Sequence, residues 1–286
     1  MPSTPTVTLG PLRTADLPDV GRFLHAHLNS RLSARQWAES LLPTWETDEE
    51  DHGFLLRADG DVVGVYGAFY SQRRVDGRTE RYCNLAAWCV LEGHRAHGLR
   101  LLRAMLAQPG YTFTDLSPSG SVVPVNERLG FVRLDTSGSL VVHLPWSAGG
   151  RVLTDPARIQ VTLGERDRQI HRDHARAAAA RHVVVVAGGS SCYVVFRRVR
   201  RKGLPLFARV LYVSDPAAFG AVAGRFRRHL LWRHGIVFSI DERRLTGDPP
   251  WHAVALRSPR PAMVRGAGAG AAEVDYLYSE LTCVPW

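Results

Sequence analysis

The sequence predicts an α/β protein made of two successive domains of one mixed-sheet design. Three observations predict it. The chain has 286 residues, more than one average domain of roughly 100–150 residues. The order helix, β-hairpin, strand, helix, strand is legible once in each half, with no repeat at the level of individual residues. In the first half, a strand also runs through a glycine-containing turn straight into an amphipathic helix.

The first strand is expected over residues 6–13, followed by a helix that starts at Thr14-Ala15-Asp16 and places Leu17, Val20, Phe23, Leu24 and Leu28 on one face. Ser33 has the character of an N-cap for a second helix running toward Leu42, which Pro43 ends. Two apolar runs, 53–57 and 62–70, flank Ala58-Asp59-Gly60-Asp61, where Asp-Gly marks a tight hairpin. A third strand, Tyr82 to Leu91, enters the turn at Gly98, and Leu99, Leu101, Leu102, Met105 and Leu106 form the helix that leaves it. A strand (111–116), a short helix (122–129) and a hairpin over 131–144 complete this half.

The segment Pro145-Trp146-Ser147-Ala148-Gly149-Gly150 reads as a linker, giving domains of 1–148 and 149–286. Beyond it come a helix at about 166–181, strands at 183–187, 192–199 and 206–213, a helix at 216–233 and a strand at 237–240. The run Gly266-Ala267-Gly268-Ala269-Gly270 has no strand leading into it and no helix after it, so it reads as a connection rather than a phosphate loop. The tail Asp275-Tyr276-Leu277-Tyr278-Ser279-Glu280-Leu281 alternates as a strand does, with Tyr276, Tyr278 and Glu280 on one face.

Hydrophobic residues make up 45% of the chain and charged residues 22%, the balance of a globular protein rather than a disordered one. No apolar run reaches the roughly 18 residues of a bilayer span, and the first residues lack a secretory signal pattern. A cytoplasmic protein without membrane contact is the expectation. The four cysteines (Cys83, Cys89, Cys192, Cys283) lie in apolar segments without C-x-x-C spacing, as reduced thiols do. His171 and His174 stand at i and i+3 with no third ligand at an obvious spacing, so a polar helix face is expected there and no metal.

Charge divides unevenly. Residues 1–150 carry 14 arginines and 16 acidic residues, whereas residues 151–286 carry 22 basic and 11 acidic ones. The basic second half suits an anionic partner: CoA phosphates, an acidic carrier protein or a nucleic acid. Its runs 197–202 and 225–228, with Phe196, Phe226 and Trp232 interleaved, fit either a nucleic-acid surface or a core with solvated arginines.

A strand, a turn whose N–H groups point one way, and a helix N-terminus together make an anion site suited to a diphosphate. Trp88-Cys89-Val90-Leu91-Glu92-Gly93-His94-Arg95-Ala96-His97-Gly98-Leu99-Arg100 has that form. It resembles the central motif of the GNAT acyltransferase superfamily, [Q/R]-x-x-G-x-[G/A], with Arg95 and Gly98 matching and Arg100 in place of the small residue. Asn126-Glu127-Arg128-Leu129-Gly130-Phe131, about thirty residues on, resembles the family's closing E-[K/R]-L-G-F element. The resemblance covers about residues 7–145, with the second half as a degenerate repeat lacking a cradle.

The resemblance implies a tandem GNAT-like fold and an N-acyltransferase moving an acetyl or longer acyl group from acyl-CoA to an amine of a small molecule by direct attack, without a metal. It implies that Arg95, Ala96, His97, Gly98, Leu99 and Arg100 wrap the CoA pyrophosphate, and that Trp88, Cys89 and Val90 meet the pantetheine arm and thioester. Ser119 and Asn126 take the places of an asparagine and of the tyrosine that protonates the leaving thiolate in many members. An amide does not donate a proton as a phenol does. Asp115 is then a base candidate, while Tyr278 and Glu280 could supply the missing acid and base. Rival readings are an acyl or aminoacyl transferase whose donor, an acyl carrier protein or charged tRNA, docks on the basic half, and a catalytically silent CoA-binding module.

Overall fold

The computed structural model describes residues 6–49, 51–75, 77–145, 149–201, 203–257, 260–266 and 274–286. Met1–Pro5, residues 146–148 of the expected linker, Lys202 and residues 267–270 of the Gly-Ala run lie outside them.

In chain order the first half contains β1 (Val7–Arg13), α1 (Leu17–His27), α2 (Ala34–Ser40), β2 (Asp51–Ala58), β3 (Asp61–Val75), β4 (Arg78–Val90), a 3-10 turn (Glu92–His97), α3 (Gly98–Leu106), β5 (Tyr111–Asp115), α4 (Val123–Arg128) and β6 (Val132–Arg133). Next come β7 (Gly138–Val142), β8 (Arg151–Leu153), α5 (Pro156–Thr162), α6 (Glu165–His174), β9 (Arg181–Ala187), β10 (Ser190–Arg201), β11 (Leu204–Val213), α7 (Pro216–His234), β12 (Phe238–Glu242), α8 (Arg243–Thr246), β13 (Val254–Leu256), β14 (Met263–Arg265) and α9 (Glu280–Cys283). They build two seven-stranded mixed sheets, ordered β1-β2-β3-β4-β5-β14-β6 and β13-β7-β12-β11-β10-β9-β8.

Local chemistry explains the elements that place the site. Ser33 Oγ accepts from the Gln36 amide while Gln36 Oε1 accepts from the Ser33 amide, a reciprocal cap that starts α2. Asp59 (φ 51°) and Gly60 (φ 92°) both adopt the left-handed conformation of the two-residue turn that matches the twist of a hairpin. Leu101, Leu102 and Met105 of α3 pack on one face of the first sheet with Tyr66, Cys83 and Leu85. Leu17, Val20 and Leu24 of α1 and Trp37 of α2 cover the other face, together with Cys283 and Val284.

The second sheet follows the same plan. β11 and β12 pair in parallel across α7, as β4 and β5 do across α3. The apolar face of α7 (Phe219, Val222, Ala223, Phe226, Leu230) covers Val185, Val194 and Val210, and Gly235 at φ 62° closes the helix. The twofold pattern expected from the order of elements is therefore present: strand, two helices, three antiparallel strands, helix, parallel strand.

The described residues group by contact into one unit of 6–132 with 263–266 and 278–286, and another of 133–262 with 274–277, beside the expected division at 148/149. Two expectations are corrected. The hairpin expected over 131–144 does not form: β7 pairs with β12 and β13, partners about a hundred residues away, while β14 returns to pair with β5. The tail is not a strand, because Tyr278 turns the chain with φ 55° and Ser279 then caps α9 by accepting from the Leu281 amide.

Smaller differences lie in the second unit. The helix expected over 166–181 ends at His174, and α5 precedes it. His171 and His174 are buried, not on a solvated face; His171 Nδ1 lies 2.6 Å from Gln160 Oε1. Phe196 and Phe226 are core residues, whereas Trp232 is exposed. Among the described residues no helix is long and apolar enough to cross a membrane.

Candidate functional site

β4 and β5 pair only over Arg81–Asn84 and Tyr111–Thr114, although β4 continues to Val90. Past that point the strands part. β4 is buried from Tyr82 to Ala86 and half-buried from Ala87 to Val90. Ala87 is the pivot: it sits at φ 52°, and the register with β3 slips so that Ala87 and Trp88 together oppose Tyr66. Such a bulge kinks the strand away from its neighbour, and a left-handed alanine costs roughly 1–2 kcal/mol.

The gap is a cleft of about 250 Å³, with Leu85, Ala86, Ala87 and Trp88 on the β4 side and Asp115, Ser117, Pro118 and Ser119 on the β5 side. Tyr66 stacks on Trp88 at its wall, ring centroids 4.9 Å apart and planes 12° from parallel. Trp286 and Leu28 also line it.

Two buried carboxylates come together at this end of β5. Asp115 Oδ2 accepts from Asn126 Nδ2 at 2.9 Å. Burial, and next the negative charge of Glu280, push the Asp115 carboxyl up to about 7, against the opposing bonds from Asn126 and the Ser117 backbone. Glu280 is fully buried; Oε2 accepts from Asn84 Nδ2 at 2.5 Å and Oε1 from Ser117 Oγ at 2.5 Å. Thr114 Oγ1 in turn donates to Asn84 Oδ1 at 3.0 Å, which fixes the orientation of that amide.

The cradle expected at 95–100 is the 3-10 turn running into α3. The N-cap residue, His97, makes no side-chain cap bond, so its side chain does not occupy the first amides of α3. A Cβ built on Gly98 would meet Trp88 Cζ2 at 3.7 Å, so the helix start and the cleft wall are contiguous. Arg95, Ala96, Leu99 and Arg100 are exposed, and Arg100 Nη1 lies 3.0 Å from His97 Nδ1. Arg95 and Arg100 fit a diphosphate in charge at a helix start that no side chain caps, while the Gly98 amide is bonded back to the Arg95 carbonyl within the 3-10 turn.

The second unit has the same junction, closed from within. Asp215, the N-cap of α7, accepts from the Ala217 and Ala218 amides at 2.8 and 3.3 Å, occupying the helix end with a carboxylate of the chain itself. Glu242, last in β12 as Asp115 is last in β5, is bound by Arg209 (2.7 Å), Tyr276 (2.6 Å) and Arg244 (3.2 Å).

No protein-family model matches the chain, and no curated protein sequence does. Among solved structures, a GCN5-related N-acetyltransferase from Anabaena variabilis matches with a TM-score of 0.61 at 11% identity, over 91% of this chain and 72% of its own. Its counterpart from Kribbella flavida matches at 0.57 and 14%, over 92% and 71%. The N-myristoyltransferase of Saccharomyces cerevisiae, solved with bound myristoyl-CoA, matches at 0.52 and 12%, over 99% and 86%. The chain has the GNAT fold.

Within this GNAT fold the residues singled out from sequence separate into groups. Trp88, Asp115 and Ser119 line the cleft, and Glu280 bonds its rim at Ser117. Cys89 packs among the core residues near α1, and burial raises its thiol to about 11, away from the range of a thiolate nucleophile. Val90 packs with the α3 core. Asn126 is fully buried and holds Asp115 rather than facing the cleft. Tyr278 and Glu280 diverge: the Tyr278 ring lies 5.2 Å from Trp45 and 4.9 Å below the Arg73 guanidinium, and is not part of the cleft lining.

Sequence reasoning missed Tyr66 and Ala87, whereas Ser117 is legible with Asp115 at the end of the strand beside the cleft. Tyr66 sits in an ordinary apolar run and Ala87 in an ordinary strand, with no glycine to announce the bulge.

Proposed function

We propose that this protein is an N-acyltransferase that takes an acyl group from acyl-CoA and transfers it to a small-molecule amine by direct attack, with Asp115 as general base. The observation that carries the reading is a buried carboxylate, raised to about 7, in a strand-divergence cleft beside an uncapped helix start. A base near the working pH combines availability of the ionised form with driving force for accepting a proton.

The amine nitrogen attacks the thioester carbonyl and a C–N bond forms. Asp115 accepts the proton that nitrogen loses, the C–S bond breaks, and the sulfur leaves with a proton from solvent. Asn126 and the Ser117 backbone hold the Asp115 carboxylate in place, and the α3 amides with Arg95 and Arg100 bind the pyrophosphate. A cleft of about 250 Å³ is small beside ligand pockets of roughly 300–1,000 Å³, which favours an acetyl or other short acyl group. The bound myristoyl-CoA of the yeast neighbour makes longer donors worth including in the test.

Calorimetry with acetyl-CoA, longer acyl-CoAs, free CoA and an acyl carrier protein, followed by mass spectrometry of candidate amines, tests the reading. CoA thioesters are expected to bind and to acylate an amine. Binding of the carrier protein alone would move the donor site to the basic half, and binding of CoA with no transfer to any amine would favour a silent module.

Glu280→Gln gives a separate prediction. A glutamine there can still accept from Asn84 and donate to Ser117 Oγ, so the packing is retained while the charge is removed. Because Glu280 raises the Asp115 pKa, the acidic limb of the kcat/KM profile is expected to move below about 7. A limb that stays in place or moves upward would separate the two carboxylates.

A further inference from the structure

Tyr66 is 2% exposed, and among the described residues its hydroxyl has no hydrogen-bond partner although the oxygen is buried. Other buried or half-buried tyrosines are satisfied: Tyr70 donates to Gln108 Oε1 at 3.0 Å, Tyr212 to Asp167 at 2.7 Å and Tyr276 to Glu242 at 2.6 Å. A donor buried without a partner carries a desolvation cost that nothing offsets within the protein. Here that donor belongs to a ring that lines the cleft and is held flat against Trp88. Apolar positions of the same shape accept phenylalanine, so the hydroxyl calls for a ligand acceptor.

We propose that the Tyr66 hydroxyl donates a hydrogen bond to the carbonyl oxygen of the thioester in the cleft, and that this bond strengthens as negative charge builds on that oxygen when the amine adds. The proposal rests on the acyl-CoA reading. Asp115, Cys83 and Glu280 are the titratable groups that bear on the phenol; burial first, then these neighbours, hold its pKa well above the ordinary value. It therefore keeps its proton throughout. Tyr66 acts as a fixed dipole aimed at developing charge rather than as the acid that protonates the departing sulfur.

Tyr66→Phe removes the one oxygen and leaves the stack on Trp88. Wild type and Y66F are compared for binding of free CoA and of a ketone analogue of acetyl-CoA in which a methylene replaces the sulfur. Free CoA is expected to bind both equally, whereas the analogue is expected to bind Y66F up to about tenfold more weakly. The variant's kcat/KM is expected to fall roughly 100-fold, its acidic limb to stay in place, and its Tm to hold or rise.

Equal affinity of both proteins for the analogue overturns the proposal. So does a lower Tm in Y66F, which would mean that the hydroxyl already has a partner in the free protein. Should wild type bind neither CoA nor the analogue, the acyl-CoA reading fails first and takes the proposal with it.

Discussion

Asp115→Asn is expected to lose between about 100- and 10,000-fold in kcat, the range for removing a general base, while gaining stability at neutral pH. The two effects have one origin. The folded-state pKa of about 7 lies above the ordinary 3.8, so the fold binds this proton more tightly than the unfolded chain does. Its contribution to stability is complete below about 4 and is lost as pH rises through 7. By pH 8 the ionised carboxylate leaves the protein less stable by roughly 4 kcal/mol than the protonated form would be. An asparagine stays neutral, so thermal melts should show the variant above wild type at pH 8 and level with it near pH 4. In activity, wild-type kcat/KM should rise with pH to a plateau above about 7, and that limb should vanish in the variant. A loss below tenfold with the limb intact would remove Asp115 from the base role.

His97→Asp should abolish most CoA affinity without harming the fold. The aspartate would stand at the start of α3, where an anion favours the helix by about 0.3–1 kcal/mol, and would gain an ion pair with Arg100 three residues on. The same charge would face the two charges of a pyrophosphate at close range, worth about 100-fold in affinity at low salt. Raising the ionic strength should recover part of the loss. This change gives α3 what α7 already has in Asp215, an internal carboxylate on its first amides, and so tests why only one of two similar junctions is open. Unchanged CoA affinity in this variant would move the anion site elsewhere.

What the sequence reveals of this fold depends on how local the physics is. Asp59-Gly60, Ser33 with Gln36, and the strand-to-helix junction at Gly98 are set by neighbouring residues, and each is legible. The E-R-L-G-F element is legible for the same reason, since Gly130 takes φ 85° between Leu129 and the buried Phe131. The misread parts are those decided by distant partners. Alternation at Tyr276, Tyr278 and Glu280 fits a strand, but Glu280 is held by Asn84 and Ser117, which no local pattern reveals. Residues 131–144 look like a hairpin, yet β7 within them is claimed by β12 and β13. Asn126, a departure from the motif when read as a missing acid, has a positive role once Asp115 is seen beside it.

The pairing of β14 with β5 and the docking of α9 beside Asn84 have a consequence for synthesis. A nascent chain grown to residue 260 has β1 to β5 in hand but lacks the strand that flanks β5 and the carboxylate that Asn84 and Ser117 bind. Closing contacts across about 150 to 200 residues is slow compared with forming hairpins. Until translation supplies β14 and α9, an edge of the first sheet stays open to chaperones and to other chains, so the cleft is completed only once both have been made.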